Sequence, residues 1–353
     1  MSKFTFSERK ICGIYTSVSI NNRNVMDIGL ESGMSSDEIK KFSIATGVNK
    51  LHNDKNLTTS DYCVHAAKNL LQDLNWSNEE IDAIFFVTQT PDYILPKTSC
   101  LIQKKLNLRE DIFVLDINDG CSGFIYGMIT AYNFCSENNK KILLMMGETP
   151  SKMINKNDKS ASLLFGDGGS CIAIEYDKNY GKKSFFTQGV DGSGSDAIIV
   201  RDGGFRNITN INSLVEKNIQ EGITRNSLNL EMNGEDVFLF GISKVPKEIK
   251  KFINEFDIKP EAYDYFIMHQ ANLTMNNIIS KKINVDPIKV LSSISEFGNT
   301  SSLSIPITIV SNSSLLKNKE QVIFCSGFGV GLSWGCALIT LNESTVYKNL
   351  IYG

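Results

Sequence analysis

The chain of 353 residues is 42% hydrophobic, and its 36 basic side chains are nearly balanced by 39 acidic ones. That length holds two domains or one large doubled one, with ample chain for a buried core. A net charge of −3 leaves no electrostatic footprint for a nucleic acid or an anionic membrane surface, and no apolar run approaches the about 18–20 residues that span a bilayer.

The opening stretch MSKFTFSERK lacks the apolar core of a secretory signal, so a cytoplasmic protein is expected. Strand-like runs are expected at residues 10–19, 81–88, 113–117, 141–146 and 170–176, with helical periodicity between them. Ser35 with Glu38, and Ser77 with Glu80, have the spacing of capping boxes. His52 falls in the polar stretch NKLHNDKN, read as a loop, and His65 in the helical stretch DYCVHAAKNLL. The run at residues 113–117 breaks at Asn118-Asp119-Gly120, and beyond it Phe124, Ile125, Met128, Ile129, Tyr132 and Cys135 recur at helical spacing. Cys121 therefore stands where a strand turns into a helix N-terminus, a position that favours a thiolate. FGDGGS, at residues 165–170, precedes a strand rather than a helix, which argues against a phosphate cradle. DGSGSD, at residues 191–196, has the composition of a loop, and NGED, at residues 233–236, reads as a helix start. His269 closes the run YDYFIMHQAN, again where a strand meets a helix.

This βα alternation predicts an α/β fold with buried central sheets. The second half repeats the order of the first. YDYFIMHQ parallels IDAIFFVTQ, KVLSSISEFGNTSS parallels FVLDINDGCSGF, QVIFCSGFG parallels KILLMMGET, and VGLSWGCALIT parallels LLFGDGGSCIAI. An internal duplication follows, with its seam near residues 177–183 and halves at 1–177 and 178–353. Cys121 and Asn299 then become symmetry mates at the C-terminal ends of strands, where α/β sheets carry their sites.

The 8 cysteines are Cys12, Cys63, Cys100, Cys121, Cys135, Cys171, Cys325 and Cys336. None forms a C-x-x-C pair, so zinc and dithiol readings are weak, and all but Cys121 read as small buried hydrophobes. Cys121, His269 and Asn299 suit acyl transfer through a thioester. The thiolate takes the acyl group. Helix N-terminal amides hold an oxyanion, and imidazole and carboxamide N–H groups hold the enolate formed when a malonyl thioester loses carbon dioxide.

On the motifs DGCSGFIYG, LLFGDGGS, LEMNGEDVF, HQAN, EFGNTSS and GFGVGLSWGCALI, taken in this order over nearly the whole chain, the sequence resembles the ketoacyl-acyl-carrier-protein synthase III enzymes of the thiolase-like superfamily. The resemblance implies a five-layered αβαβα fold from two similar halves, and a homodimer paired through the strand at residues 113–117. It assigns Cys121 as nucleophile with His269 and Asn299 as the other catalytic residues. The oxyanion would rest on the backbone N–H of Cys121 and one from the loop Gly329-Val330-Gly331. Asn272, Lys159, Leu95 and Phe240 would contact substrate, Leu95 by closing the acyl pocket of the neighbouring subunit, with Phe238 and Phe240 near the pocket mouth. Substrates would be acyl-coenzyme A or acyl-carrier-protein thioesters, with the acyl carrier protein as partner and neither metal nor redox cofactor needed.

The departures from the family pattern lie in donor recognition. A tryptophan and an arginine that clasp the adenine end of coenzyme A fall here at Lys41 and Ala45, within KKFSIATGV, which removes both stacking and guanidinium. The basic residue after HQANL is Thr274, with Lys281 and Lys282 on the next helix read as a solvated face. Leu95 replaces a common phenylalanine. Val330 stands in a loop that is often all glycine, where positive φ would strain it. Asp119 is read as a turn residue facing away from the thiol. A specialised acyl donor, rather than acetyl-coenzyme A, is therefore expected. Two other readings remain at this stage: an acyltransferase that passes the acyl group from Cys121 to a hydroxyl or amine, and a catalytically silent partner subunit. A non-decarboxylating condensation would need a general-base carboxylate, and no glutamate sits in a motif that matches one.

Overall fold

The computed structural model describes residues 2–353. Two six-stranded sheets carry the fold. One runs in the order Val346–Tyr352, Arg9–Ser19, Gly168–Tyr176, Lys141–Glu148, Ala83–Val87, Phe113–Ile117. The other runs Ser2–Phe6, Ser184–Val190, Ser333–Leu341, Gln321–Gly329, Tyr265–Met268, Val290–Leu291. The two sheets match strand for strand in order, so the thiolase-like fold is built from two duplicated halves.

Strand alternation makes the layers. In Lys141–Glu148, Ile142, Leu144 and Met146 face one cluster while Leu143 and Met145 face another. Side chains of a strand alternate between faces, so a sheet apolar on both must be covered on both. The inner faces of the two sheets share one core with the helices Gly123–Phe134 and Ser304–Ser311. Both helices are apolar nearly all round, which suits only burial. The helices Thr59–Leu74 and Thr98–Leu106 cover the outer face of the first sheet. Gly234–Glu255 and Leu273–Ile283 cover that of the second. Five layers result. Among the described residues no helix is long and apolar enough to cross a membrane.

The expected strands appear within a few residues of their bounds, and residues 113–117 match at both ends. The division at 177 does not hold at the termini. Ser2–Phe6 pairs with Ser184–Val190 in the second sheet, and Val346–Tyr352 pairs with Arg9–Ser19 in the first, so the halves trade terminal strands. Two local readings are corrected. His52 lies in the short strand Lys50–His52 and is buried, with its ring nitrogens 2.8 Å from the Ser19 carbonyl and 3.3 Å from Glu296. Cys100 is exposed, because it sits on the solvent side of its helix. Both expected capping boxes are present: that at Ser35 opens the α-helix Ser36–Thr46, and that at Ser77 opens the 3-10 turn Asn78–Glu80.

The helix Thr98–Leu106 has no side-chain cap of its own. Asp116, from the neighbouring edge strand, accepts from the backbone N–H of Thr98 at 2.6 Å and of Ser99 at 2.9 Å. A carboxylate at a helix N-terminus is favoured by both the orphan donors and the helix dipole. Asp116→Ala is expected to cost about 1–2 kcal/mol of stability, read by urea denaturation. An unchanged midpoint would show that the helix does not depend on this cap.

Candidate active site

The turn that carries Cys121 closes through the N–H of Gly123 on the carbonyl of Gly120 at 2.7 Å. It presents the thiol to a cavity of about 150 Å³ whose lining is dominated by apolar side chains. His269 and Asn299 line the same cavity. His269 follows the strand Tyr265–Met268 and is anchored by its N–H on the Ser326 carbonyl at 2.8 Å. Its ring meets Phe328 edge-on, with centroids 5.7 Å apart. Asn299 is fixed through its main chain, donating to Leu164 at 2.8 Å and accepting from Gly166 at 3.1 Å. Its Oδ1 accepts from the N–H of Ser301 at 3.0 Å, which fixes the amide's orientation and leaves Nδ2 to donate.

Packing at the thiol is tight. A Cβ added at Gly329 would lie 2.5 Å from Cys121 Cβ and 2.7 Å from its Sγ, so only glycine lets the loop pass. The strain expected at Val330 does not arise. Gly329 and Gly331 take the positive φ, +156° and +132°, and Val330 does not. Its backbone N–H lies near enough to the Cys121 sulfur to favour the thiolate, and Val330 lines the same cavity.

Burial pushes the Cys121 thiol up to about 11, against the Val330 N–H and the Ser301 hydroxyl, both of which favour the thiolate. Burial also drives His269 down to about 4, so its imidazole is neutral at physiological pH, and its Nδ1 has no partner among the described residues. Such a ring donates one N–H without carrying charge. Asp119 does not simply face away. It accepts from Ser122 Oγ at 2.9 Å, burial raises it to about 6, and its charge opposes the thiolate.

Of the expected substrate contacts, Asn272, Phe238 and Phe240 line the cavity. Asn272 also caps the helix Leu273–Ile283 by accepting from Met275 N–H at 2.7 Å. Lys159 is not part of the cavity lining, and its ammonium lies 3.7 Å from Glu38. Leu95 is 81% exposed and does not reach the cavity of its own chain. Thr274 donates its hydroxyl to the Ala45 carbonyl at 2.7 Å, tying the two entrance helices together. Lys282 donates to the Ile242 carbonyl at 2.7 Å, so it is more than a solvated charge.

Sequence reasoning missed Glu148. It ends the apolar strand Lys141–Glu148, is buried, and lines the cavity. It accepts from the Gln89 N–H at 2.9 and 3.1 Å, from Thr90 Oγ1 at 2.8 Å and from Thr88 Oγ1 at 3.1 Å. The only available signal was a carboxylate closing a hydrophobic strand. Burial outweighs those donors and pushes it up to about 8. With the folded value above the ordinary 4.5, its stabilising effect is complete below about pH 4.5 and is lost as pH rises through about 8. The parent is therefore expected to lose stability over that window relative to Glu148→Gln, read as melting temperatures at about pH 5 and about pH 8. A constant difference between the two proteins would refute the raised carboxyl.

Residues 115–192 match the family 3-oxoacyl-[acyl-carrier-protein (ACP)] synthase III, and residues 253–341 match its C-terminal family. A putative 3-oxoacyl-[acyl-carrier-protein] synthase 3 of Campylobacter jejuni is 32% identical over 358 residues, covering 99% of both chains. The beta-ketoacyl-[acyl-carrier-protein] synthase III of Clostridium tetani is 35% identical over 83% of this chain and 87% of its own. The crystal structure of a 3-oxoacyl-(acyl-carrier protein) synthase from Burkholderia xenovorans LB400 superposes with a TM-score of 0.90 at 31% identity, over 98% of this chain and 99% of that one. At 32% and 35% identity to these relatives over most of both chains, this chain belongs to the 3-oxoacyl-[acyl-carrier-protein] synthase III family.

Proposed function

We propose that this protein is a decarboxylating condensing enzyme that joins a specialised acyl group to a malonyl carrier-protein thioester. The observation that carries the reading is that Cys121, His269 and Asn299 line one cavity. The Cys121 sulfur attacks the acyl carbonyl, and the oxyanion rests on the backbone N–H groups of Cys121 and Val330. The donor's C–S bond breaks, and its thiolate takes up a proton. In the malonyl thioester the C–C bond to the carboxylate then breaks, carbon dioxide leaves, and the electron pair forms an enolate. The enolate oxygen accepts from His269 N–H and Asn299 Nδ2. Its carbon attacks the acyl-cysteine, the C–S bond breaks, and a 3-oxoacyl product leaves with Cys121 restored. Each oxyanion donor of this kind contributes about 3–4 kcal/mol. The sequence of steps balances without a metal or redox cofactor.

The donor proposal rests on Lys41 and Ala45 standing where the clasp for adenine would be, and on Lys159 being drawn toward Glu38. Delivery on an acyl carrier protein fits that entrance better than acyl-coenzyme A. A homodimer through Phe113–Ile117 is supported by an edge strand with Phe113 43% and Leu115 36% exposed, since an unpaired apolar edge calls for a partner. In that dimer the exposed Leu95 would meet the partner's cavity. The proposed setting is the cytoplasm.

Intact-protein mass spectrometry with a panel of acyl-coenzyme A and acyl-carrier-protein donors, beside a carbon dioxide assay with malonyl carrier protein, tests the reading. The expected result is acylation by a carrier-borne or longer acyl group at least about tenfold faster than by acetyl-coenzyme A. Efficient acetyl-coenzyme A turnover would overturn the specialised donor. Acyl transfer to a hydroxyl or amine without carbon dioxide release would overturn condensation itself.

A further inference from the structure

Ser301 is held in an unusual conformation beside the nucleophile. Its φ is +51°, a left-handed backbone that glycine adopts freely and serine seldom does. That turn sends its N–H to Asn299 Oδ1 at 3.0 Å. It also brings its hydroxyl to 4.0 Å from Cys121 Sγ, and this is the only hydrogen-bond partner of that hydroxyl among the described residues. The space exists because residue 120 is glycine, where an added Cβ would stand 3.1 Å from Ser301 Oγ. Ser301 thus lies against both Asn299 and Cys121, through different atoms. A glycine would relieve the backbone, and the one group that serine adds is the hydroxyl that faces the sulfur.

We propose that Ser301 is a positioning residue for the nucleophile: its hydroxyl donates to the Cys121 thiolate, and its backbone, locked onto Asn299, holds that hydroxyl in place. The inference rests on the reading of Cys121 as nucleophile. The contact is long for a neutral thiol and tightens when sulfur becomes an anion, because hydrogen bonds to ionised acceptors are shorter and stronger. It works alongside the Val330 N–H, which reaches the same sulfur. Together they offset part of the burial that disfavours a thiolate here.

The test is the pH dependence of Cys121 alkylation by iodoacetamide, followed on the Cys121 peptide by mass spectrometry in the parent, Ser301→Ala and Ser301→Gly. Exposed Cys100 serves as an internal reference in the same sample. Both variants are expected to shift the Cys121 profile up by about one pH unit, slowing alkylation at about pH 8 by about tenfold, with Cys100 unchanged. Ser301→Gly removes the hydroxyl and relieves the left-handed strain, so a loss there is not a folding defect. Coincident profiles in all three proteins would overturn the proposal, as would a shift in Ser301→Ala that Ser301→Gly does not share. A parent whose Cys121 resists alkylation while Cys100 reacts would overturn the nucleophile reading itself, and this inference with it.

Discussion

Cys121→Ala is expected to carry no acyl mass with any donor that labels the parent, and to lose condensation by about 10⁴-fold or more. On the proposed mechanism the substitution removes the group that holds the acyl chain between the two half-reactions, and losses of that order are typical of covalent nucleophiles. The cavity is already apolar and narrow, and an alanine there adds no clash, so the fold should be unaffected. The check is intact mass and product formation side by side with the melting temperature. An acyl mass that persists in the alanine variant would place the covalent chemistry on another residue.

The second large effect separates the half-reactions. His269→Ala and Asn299→Ala are each expected to lower malonyl decarboxylation by about 10²–10³-fold, the usual loss for one oxyanion donor. Labelling of Cys121 should survive in both, because the Val330 N–H favours the thiolate without either side chain, but more slowly in Asn299→Ala, which releases the Ser301 turn. The double variant is expected to fall short of the product of the two losses, since both donors serve one oxygen. His269 also gives the pH dependence a sign. Burial holds it near 4, so the donor stays neutral and decarboxylation is expected to remain level from about pH 8 down to about pH 5. The folded value lies below the ordinary 6.5, so stability from this histidine is complete above about 6.5 and is lost as pH falls through about 4. A decarboxylation rate that rises and falls with a midpoint near 6.5 would show an exposed, charged imidazole instead.

Asp116, Glu148 and Ser301 show what kind of information each level of structure holds. Local pattern, read along the chain, was enough for the strand at residues 113–117, for residues 141–146 of the strand Lys141–Glu148, for the cap at Ser35 and for the helix start at Asn233. These depend on neighbours a few residues apart, and alternation or capping spells them out. The four paired motifs similarly carried the doubled architecture, and the corners at Cys121, His269 and Asn299 carried the chemistry through their resemblance to a known family. What the sequence determined by itself was therefore the repeat, the layers and the three residues that meet in one cavity.

Tertiary structure decided the rest. The exchange of Ser2–Phe6 and Val346–Tyr352 between sheets depends on strand pairing across most of the chain, which no local window contains. His52 sits in a polar stretch and is buried only because Ser19 and Glu296, distant in sequence, supply its partners. Glu148 is a raised carboxyl only because a sheet, Gln89 and two threonines close around it. The same burial sets the thiol and imidazole values, and the left-handed turn at Ser301 acquires meaning only when Cys121 is folded against it. Hydrophobic period is written in the order of residues. Desolvation and hydrogen-bond satisfaction belong to the packed interior, where the free energy of a charge depends on atoms that meet only after the chain has folded.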